Sequence, residues 1–480
     1  MRAIAVADAL LGPEYRASGP VRIAVEDGRI DSVTPLVAPP PGPRRLALPA
    51  PADAHNHGRP LSTTSFAASG KPLESWLIRL AAMPSIDARI SALAFFGHAA
   101  LGGVGAVMMH QTRPSGRLPL PQEVRTIADA AAEVGIHCAY AVSVRDRNPL
   151  VYGPTEEATG ALPPASRAAV ERLFRSPDLS PSDHVALVEE VAAAAERPGF
   201  SVQFGPNGIT WCTPALLEAI AEASARTGRR VHMHLLETRY QRAWADRHHP
   251  EGVVAFLKSI GLLSPRLTLA HCVWVRPDEV EMIAEAGATI SVNTASNLVL
   301  ASGIAPVATM VGTAATVALG LDNSAFDETD DVFHDLRLFK HLHAGWGFED
   351  VVTAPGALRF AAANGRRSLG LPGSGVIAAG EPADLALLDL DALDWDSILP
   401  VPPIELVFTR ATKAHLAELI VAGRTVVEDG RLAGLDIAAI EREVRAAYRA
   451  GLPDRGDFLA AWGDLEPALA RFYRERLGCC

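Results

Sequence analysis

The stretch Leu46-Ala-Leu-Pro-Ala-Pro-Ala-Asp-Ala-His-Asn-His57 runs apolar and then ends on two histidines spaced two apart. On a strand, residues i and i+2 face the same side, so His55 and His57 can present both imidazoles to one point. The pair alone also arises by chance, and its meaning comes from what recurs downstream. His232 and His234 lie in Arg230-Val-His-Met-His-Leu-Leu-Glu237, His271 ends Leu267-Thr-Leu-Ala-His271, and Asp322 follows Thr316-Val-Ala-Leu-Gly-Leu. Each sits at or near the C-terminal end of a short apolar segment preceded by a helical stretch, which is where a (β/α)8 barrel gathers its chemistry. A core histidine or a helix-capping aspartate would explain any one of them. Four separate strand ends argue instead for a metal site.

Working outward, segments 51–57, 104–111, 136–144, 201–204, 230–235, 267–272, 288–293 and 316–321 read as strands. Apolar-periodic stretches such as 213–227 and 277–286 lie between them. Eight strands with helical crossovers predict a closed parallel TIM barrel over 51–370, in the α/β class. The flanks differ. Val21-Arg-Ile-Ala-Val-Glu-Asp-Gly-Arg-Ile30 reads as strand, Asp-Gly turn, strand, and Ile420-Val-Ala-Gly-Arg-Thr-Val-Val-Glu-Asp-Gly-Arg-Leu432 repeats the pattern. A lone hairpin is marginal, so residues 1–50 and 371–435 are expected to join in one small β-sandwich beside the barrel. The remainder, 436–480, reads as a helical, Arg/Glu-rich tail suited to packing on a neighbouring subunit, hence a homo-oligomer.

A chain of 480 residues with 49% hydrophobic content buries a large core. Its net charge of −11 argues against a nucleic-acid surface and for a small-molecule substrate. Residues 1–8 are too short and too soon interrupted by charge for a signal peptide. The most apolar window, 90–110, is divided by Gly102, Gly103 and Gly105 into a helix end and a strand, so it reads as barrel core and no membrane span is expected. The five cysteines, Cys138, Cys212, Cys272, Cys479 and Cys480, are odd in number and form no zinc-knuckle spacing. A reducing cytoplasm fits best.

Imidazoles with one carboxylate suit a divalent cation, Zn²⁺ first, with Fe²⁺ and Mn²⁺ as alternatives. His55, His57, one histidine of the fifth strand and Asp322 leave an open position for water, whose pKa the metal lowers towards about 7. His232 and His234 share a strand face, and sequence alone leaves the choice between them open. His234 is nearer the C-terminal end, where the other candidates gather. Glu237, three residues on, stands where the strand leaves the barrel and is placed to carry protons.

Taken together, His55-Asn-His57, His234-Leu-Leu-Glu237-Thr, His271 after an apolar strand, Ser296-Asn297-Leu-x-Leu-x-Ser-Gly-Ile-Ala-Pro306 and Gly320-Leu-Asp322-Asn resemble the amidohydrolase superfamily. The branch is that of cytosine, guanine and S-adenosylhomocysteine deaminases and triazine hydrolases. Gly380-Glu-Pro-Ala-Asp384-Leu and Val421-Ala-Gly-Arg-Thr-Val look like its returning sandwich strands, so the resemblance covers residues 1–435. It implies that His55, His57, His234 and Asp322 bind one metal, and that Asp322 also takes a proton from the attacking water. It further implies that His271 orients or polarises the reacting group, and that Glu237 protonates a ring nitrogen or the leaving group. Two-metal members bridge their ions with a carboxylated lysine on the fourth strand. This chain has only Lys71, Lys258, Lys340 and Lys413, none of them in 201–204, so one metal per chain is expected.

The expected reaction is hydrolytic deamination of an amino-substituted nitrogen heterocycle (pyrimidine, purine, pterin or triazine) with release of ammonia. The alternative is hydrolysis of a cyclic amide, a carbamate or thiocarbamate, or a triazine C–Cl or C–N bond. A non-catalytic assembly protein on the same scaffold would be expected to lack some of these residues. His110 and Gln111 at the end of the second strand, Arg145 after the third, and Gln203 with Trp211 around the fourth are candidate substrate contacts. A Trp face suits a flat ring, and Arg or Gln suits ring carbonyls. The Pro/Gly/Ser-rich stretch 146–180 reads as a lid or loop insertion.

Overall fold

A computed structural model of the chain describes residues 2–175, 178–322 and 328–478. Asn323, Cys479, Cys480 and residues 176–177 of the 146–180 stretch lie outside the described residues.

Eight strands form one parallel sheet in chain order: β1 (Ala52–Asn56), β2 (Ala106–Gln111), β3 (His137–Val144), β4 (Phe200–Pro206), β5 (Val231–Leu235), β6 (Leu267–His271), β7 (Thr289–Val292) and β8 (Thr316–Leu319). Their outward faces, such as Met233, Leu235, Leu269 and Ile290, are fully buried under the surrounding helices. Those helices carry their own start and stop signals. In Pro214–Thr227 the Thr213 hydroxyl accepts from Leu216 N–H, and Gly228 ends the helix at φ +74°. The 90–110 window resolves into helix Ala88–Leu101 and strand β2. Among the described residues, no helix is long and apolar enough to cross a membrane.

Between β8 and β1 the barrel closes through the site itself. Asp322 N–H donates to the His55 carbonyl at 2.8 Å, and Leu321 N–H donates to Asp53 Oδ1 at 2.8 Å. Asp53 also receives His55 N–H at 3.1 Å and the Asn56 side-chain amide at 2.7 Å. One carboxylate thus pins both sides of the seam, just beneath His55 and Asp322.

Both flanks meet in the predicted sandwich. A seven-stranded sheet runs Arg431–Leu432, Arg424–Glu428, Leu416–Val421, Leu385–Asp389, Arg45–Pro49, Asp8–Leu11, Arg16–Ala17, and a three-stranded sheet (Arg2–Val6, Val21–Glu26, Arg29–Pro35) packs on it. Ile4, Ile23, Val25, Ile30, Leu385, Leu387 and Ile420 fill the space between the two sheets. Both Asp-Gly turns have φ > 0 at both residues, Asp27 +47° with Gly28 +75° and Asp429 +46° with Gly430 +72°, as two-residue hairpins require. The sandwich is latched to the barrel by a buried ion pair. Arg366, in helix Gly365–Leu369, binds Asp384, and Asp384 Oδ1 also accepts Ala422 N–H at 2.6 Å.

The tail packs differently from the expectation of a neighbouring subunit. Helix Ile437–Gly451 lies on Ala88–Leu101, while Gly456–Arg476 lies on Pro164–Leu173, Thr155–Thr159 and Leu73–Arg79. Its Phe458, Leu465, Leu469, Phe472 and Tyr473 are buried against the chain's own barrel. That apolar stripe, masked in the sequence by Arg and Glu on the other face, is what draws it inward.

Candidate metal centre and cavity

Strand alternation brings His55, His232 and His234 to the barrel axis, and His57 follows just past the end of β1. The remaining site residues reach it by backbone twists. Leu236, His271, Cys272 and Asp322 all have positive φ (+51°, +74°, +47° and +53°) although none is glycine. Conformations of that kind cost about 1 kcal/mol or more each and cluster where function fixes a side chain. Here they turn His271 and Asp322 inward at the C-terminal mouth of the barrel.

Asp322 Oδ1 stands 2.9 Å from His57 Nε2 and 3.5 Å from His55 Nε2. Its Oδ2 accepts the Ser296 hydroxyl at 2.5 Å and lies 3.9 Å from His271 Nε2, which is 3.6 Å from Glu237 Oε2. Candidate ligand atoms of His55, His57 and Asp322, of His55, His234 and His271, and of Glu237, His271 and Asp322 fall within 4.8 Å of one another in each set. The second ring nitrogens point away to fixed partners. His57 Nδ1 donates to the His110 carbonyl and His234 Nδ1 to the Asn207 carbonyl, both at 2.8 Å. His271 Nδ1 lies 2.9 Å from Asn297 Oδ1 and 3.2 Å from Asn293 Nδ2. His55 Nδ1 lies 2.7 Å from His232 Nε2, so of the two β5 histidines it is His234 that stands at the depth of the cluster.

A cation fits this set. His55 Nε2 is fully buried with no hydrogen-bond partner, which is costly unless something else engages the lone pair. Burial, with the neighbouring imidazoles, pushes His55 and His234 well below the usual histidine pKa, so both rings are neutral donors. Burial alone would raise the Asp322 carboxyl, but His57, His271 and Ser296 outweigh it and hold it at about 2. Three imidazoles and one carboxylate are an ordinary donor set for zinc.

Glu237 has the opposite environment. Burial first, then the charges of Asp322 and Glu74, push its carboxyl well above the usual range, against a 3.3 Å hydrogen bond from Ser302. Two neighbouring carboxyls are thus driven apart, one towards its neutral form and one towards its charged form, the arrangement that acid and base chemistry requires.

Above these residues lies a cavity of about 80 Å³ with His57, His234, Glu237, His271 and Asp322 as its floor. Its roof is Trp76, Tyr152, Phe174, Trp211 and Tyr473, and Arg113 and Arg145 stand at one side. That side, with Phe174 and His57, is shared with a second cavity of about 380 Å³. Arg145 and Trp211 therefore reach the position expected of substrate contacts. Asp146, the obvious ion-pair partner for Arg145, instead accepts the Thr213 N–H and hydroxyl.

The other three expected contacts are elsewhere. His110 lies beneath the cluster, with Nε2 donating to the Gly205 carbonyl at 3.1 Å. Gln111 Oε1 accepts the Tyr140 hydroxyl at 2.5 Å and borders the second cavity. Gln203 donates to the Leu369 carbonyl at 3.2 Å, towards the closed end of the barrel. Conversely, Glu74 was not foreseen. It is buried in the cavity wall, its Oε1 accepts the Thr238 hydroxyl at 2.5 Å and the Tyr152 hydroxyl at 3.3 Å, and burial raises its pKa. Nothing in Pro72-Leu-Glu-Ser-Trp76 marks it, since its partners lie far along the chain.

The model of the amidohydrolase family matches residues 46–426. The chain belongs to the amidohydrolase family. As a member it is a hydrolase, of the kind that acts on carbon–nitrogen bonds. It is 28% identical over 443 residues to a 5′-deoxyadenosine deaminase of Methanothermobacter thermautotrophicus, covering 89% of this chain and 94% of that one. An 8-oxoguanine deaminase of Pseudomonas aeruginosa is likewise 28% identical, over 442 residues, with 89% and 94% covered. Among solved structures, a mutant of the atrazine chlorohydrolase TrzN from Arthrobacter aurescens, complexed with zinc and atraton, superposes with a TM-score of 0.77 at 22% identity. The match spans 93% of this chain and all of that one, which speaks for the fold.

Proposed function

We propose that this amidohydrolase is a mononuclear, zinc-dependent deaminase that replaces an exocyclic amino group of a nitrogen heterocycle with oxygen and releases ammonia. The observation that carries the reading is the convergence of Glu237, His271 and Asp322 beside the histidine cluster, on the floor of an aromatic-walled cavity. The deaminase relatives support a purine-like ring as the substrate class, and the triazine hydrolase fold keeps halide or amine displacement as the second reading.

In this proposal His55, His57, His234 and Asp322 hold the cation, which when bound acidifies a water and so supplies the nucleophile at neutral pH. Asp322 takes the proton released by that water. Glu237 gives its proton to the ring nitrogen next to the attacked carbon, so that a C–O bond forms without charge building on the ring. Asp322 then passes its proton to the amine as the C–N bond breaks and ammonia leaves, and the proton of the new hydroxyl returns to Glu237 as the ring carbonyl forms. His271, held between Asn293 and Asn297, orients the reacting group. Trp211 and Tyr152, edge to face with centroids 5.4 Å apart, give the ring an apolar wall, and Arg145 reads a ring carbonyl or other acceptor.

We take 51–370 as the catalytic barrel, 1–50 with 371–435 as its composite sandwich, and 436–480 as a helical cover. The buried free thiols Cys138, Cys212 and Cys272 accord with a reducing cytoplasm. The homo-oligomer expected from sequence is kept in the proposal, to be measured by light scattering.

The deciding experiment is elemental analysis of the purified protein together with ammonia assays against aminopurines, aminopyrimidines, pterins and triazines. One equivalent of zinc and ammonia from one ring class is expected. Two equivalents of metal would overturn the mononuclear reading, and chloride or alkylamine in place of ammonia would select the second.

A further inference from the structure

His232 has no place in the chemistry above, yet it is held against it. It sits on β5 two residues before His234, fully buried, with Nε2 2.7 Å from Nδ1 of His55. The two rings are nearly parallel, 16° apart, with centroids separated by 4.9 Å. We infer that His232 is a positioning residue that fixes the tautomer of His55, so that Nε2 rather than Nδ1 of His55 faces the cation. The inference rests on the metal-site reading above.

The argument follows from the two nitrogens of a neutral imidazole, of which one carries hydrogen and the other a lone pair. For His55 Nε2 to offer its lone pair beside Asp322, the hydrogen of His55 sits on Nδ1. A buried N–H needs an acceptor, and among the described residues the atom placed against it is His232 Nε2. His232 accepts there, so its own hydrogen sits on Nδ1. In the parallel register His232 lies beside Thr268, and Thr268 beside Thr289, so all three point to the barrel axis. This arrangement leaves the His232 Nδ1–H buried without a partner, as both threonine hydroxyls are, but the one hydrogen bond forgone there is worth far less than the bond that a freed His55 Nε2 makes to a cation. This layer is polar where a purely structural core would be aliphatic. Nδ1 of His57 and of His234 lies on a backbone carbonyl and that of His271 on an asparagine side chain, whereas Nδ1 of His55 lies on another histidine. Partners of this kind, one bond removed from a cation, set the orientation and donor strength of the ligand.

The test uses the full-length, zinc-loaded protein and follows zinc transfer to a competing chromophoric chelator. His232→Phe keeps the ring volume and removes the acceptor, and zinc affinity is expected to fall about 10–100-fold. His232→Gln places Oε1 where Nε2 stood and should keep affinity close to wild type, whereas the shorter His232→Asn should behave like the Phe variant. The visible spectrum of the cobalt-substituted protein should change in the Phe and Asn variants and be retained in the Gln variant. Were the folded Phe variant to hold zinc as tightly as wild type, or the Gln variant to lose as much as Phe, the inference would be overturned. Should Phe fail to fold, the Gln and Asn pair decides on the same criterion. A wild-type protein with no affinity for zinc, cobalt or iron overturns the metal-site reading itself, and that outcome is distinct from failure of the variants alone.

Discussion

The floor and the roof of the cavity are built by opposite kinds of sequence. Floor residues are polar, come from the C-terminal ends of barrel strands, and are held by backbone twists and hydrogen bonds to immediate neighbours. Roof residues are aromatic and come from a short helix (Trp76), from loops (Tyr152, Phe174, Trp211) and from the tail helix (Tyr473), which lies beyond the matched family segment 46–426. They pack on one another, as Tyr152 does on Trp211 and Tyr473 at 5.4 and 5.2 Å, and their hydrogen bonds, such as that of Trp76 to Thr63, go to groups outside the metal cluster. The difference separates two jobs. On the proposed function, the floor sets which bond is cut and the roof sets which molecule is admitted.

The strongest test of that separation removes a floor ligand. Asp322→Ala takes away the carboxylate that stands 2.9 Å from His57 Nε2 and 3.5 Å from His55 Nε2, and leaves the backbone N–H that closes the barrel seam in place. Metal retention and turnover should vanish together, with a rate loss of at least about 10⁶-fold, the low end of enzymatic acceleration. Elemental analysis beside a turnover assay reads both. A variant that keeps metal would move Asp322 out of the ligand set. Glu237→Gln should show the next largest effect. It keeps size and removes the proton, so metal stays at wild-type content while kcat falls about 10²–10⁴-fold. Near-normal kcat would mean that the floor carries protons by another route.

These floor residues were legible because their signals are local. A histidine pair two apart needs only strand periodicity to be placed, while Glu237 and Asp322, just past strand ends, are marked by the short motifs His234-Leu-Leu-Glu237 and Gly320-Leu-Asp322. The sandwich was legible for the same reason, through its two Asp-Gly turns. Depth along a strand was harder. Gln203 lies on an inward face as expected, but three residues before the end of β4, and at about 3.3 Å per residue that puts it near the closed end of the barrel. The choice between His232 and His234 turned on one pleat in the same way. Of the roof only Trp211 was legible, because no local pattern ties Trp76, Tyr152 and Tyr473, which stand some four hundred positions apart along the chain. The tail's inward packing was hidden for a related reason, since its apolar stripe matches a surface only the folded barrel presents.

A third test asks whether the floor depends on the sandwich beneath it. Burial alone would raise the pKa of Asp384, but His137 and Arg366 outweigh it and hold the carboxyl at about 2. A carboxyl with a depressed folded value stabilises the fold above its unfolded pKa and loses that contribution as pH falls. The window here runs from about pH 4 down to about 2, and the size is about 2 kcal/mol. Denaturant melts of wild type and Asp384→Asn at pH 7 and pH 3 should therefore differ more at pH 7. Equal differences at both values would mean that the ion pair adds no pH-dependent stability. Metal content of the folded Asn variant should match wild type, because the latch lies below the seam that Asp53 pins.

The smallest expected effect belongs to the roof, and it is the sharpest measure of the separation. Tyr473 touches Tyr152 and Tyr240, with centroids 5.2 and 5.3 Å away, and contributes ring surface to the cavity without a hydrogen bond to any floor side chain. Tyr473→Leu keeps an apolar side chain on the tail helix and shortens the wall. Loss of that contact should raise KM roughly tenfold, about 1–2 kcal/mol of binding, with kcat and metal content held near wild type. Rings with bulkier substituents should gain relative to the native substrate. Two paths by which the change reaches the chemistry run through Tyr152, whose hydroxyl accepts from Gln241, while Gln241 Oε1 receives Glu237 N–H at 2.9 Å, and whose hydroxyl donates to Glu74, the carboxyl whose charge adds to burial and Asp322 in raising the Glu237 pKa. A fall in kcat with unchanged KM would therefore locate the coupling in those paths and show that the roof also acts on the proton carrier of the floor.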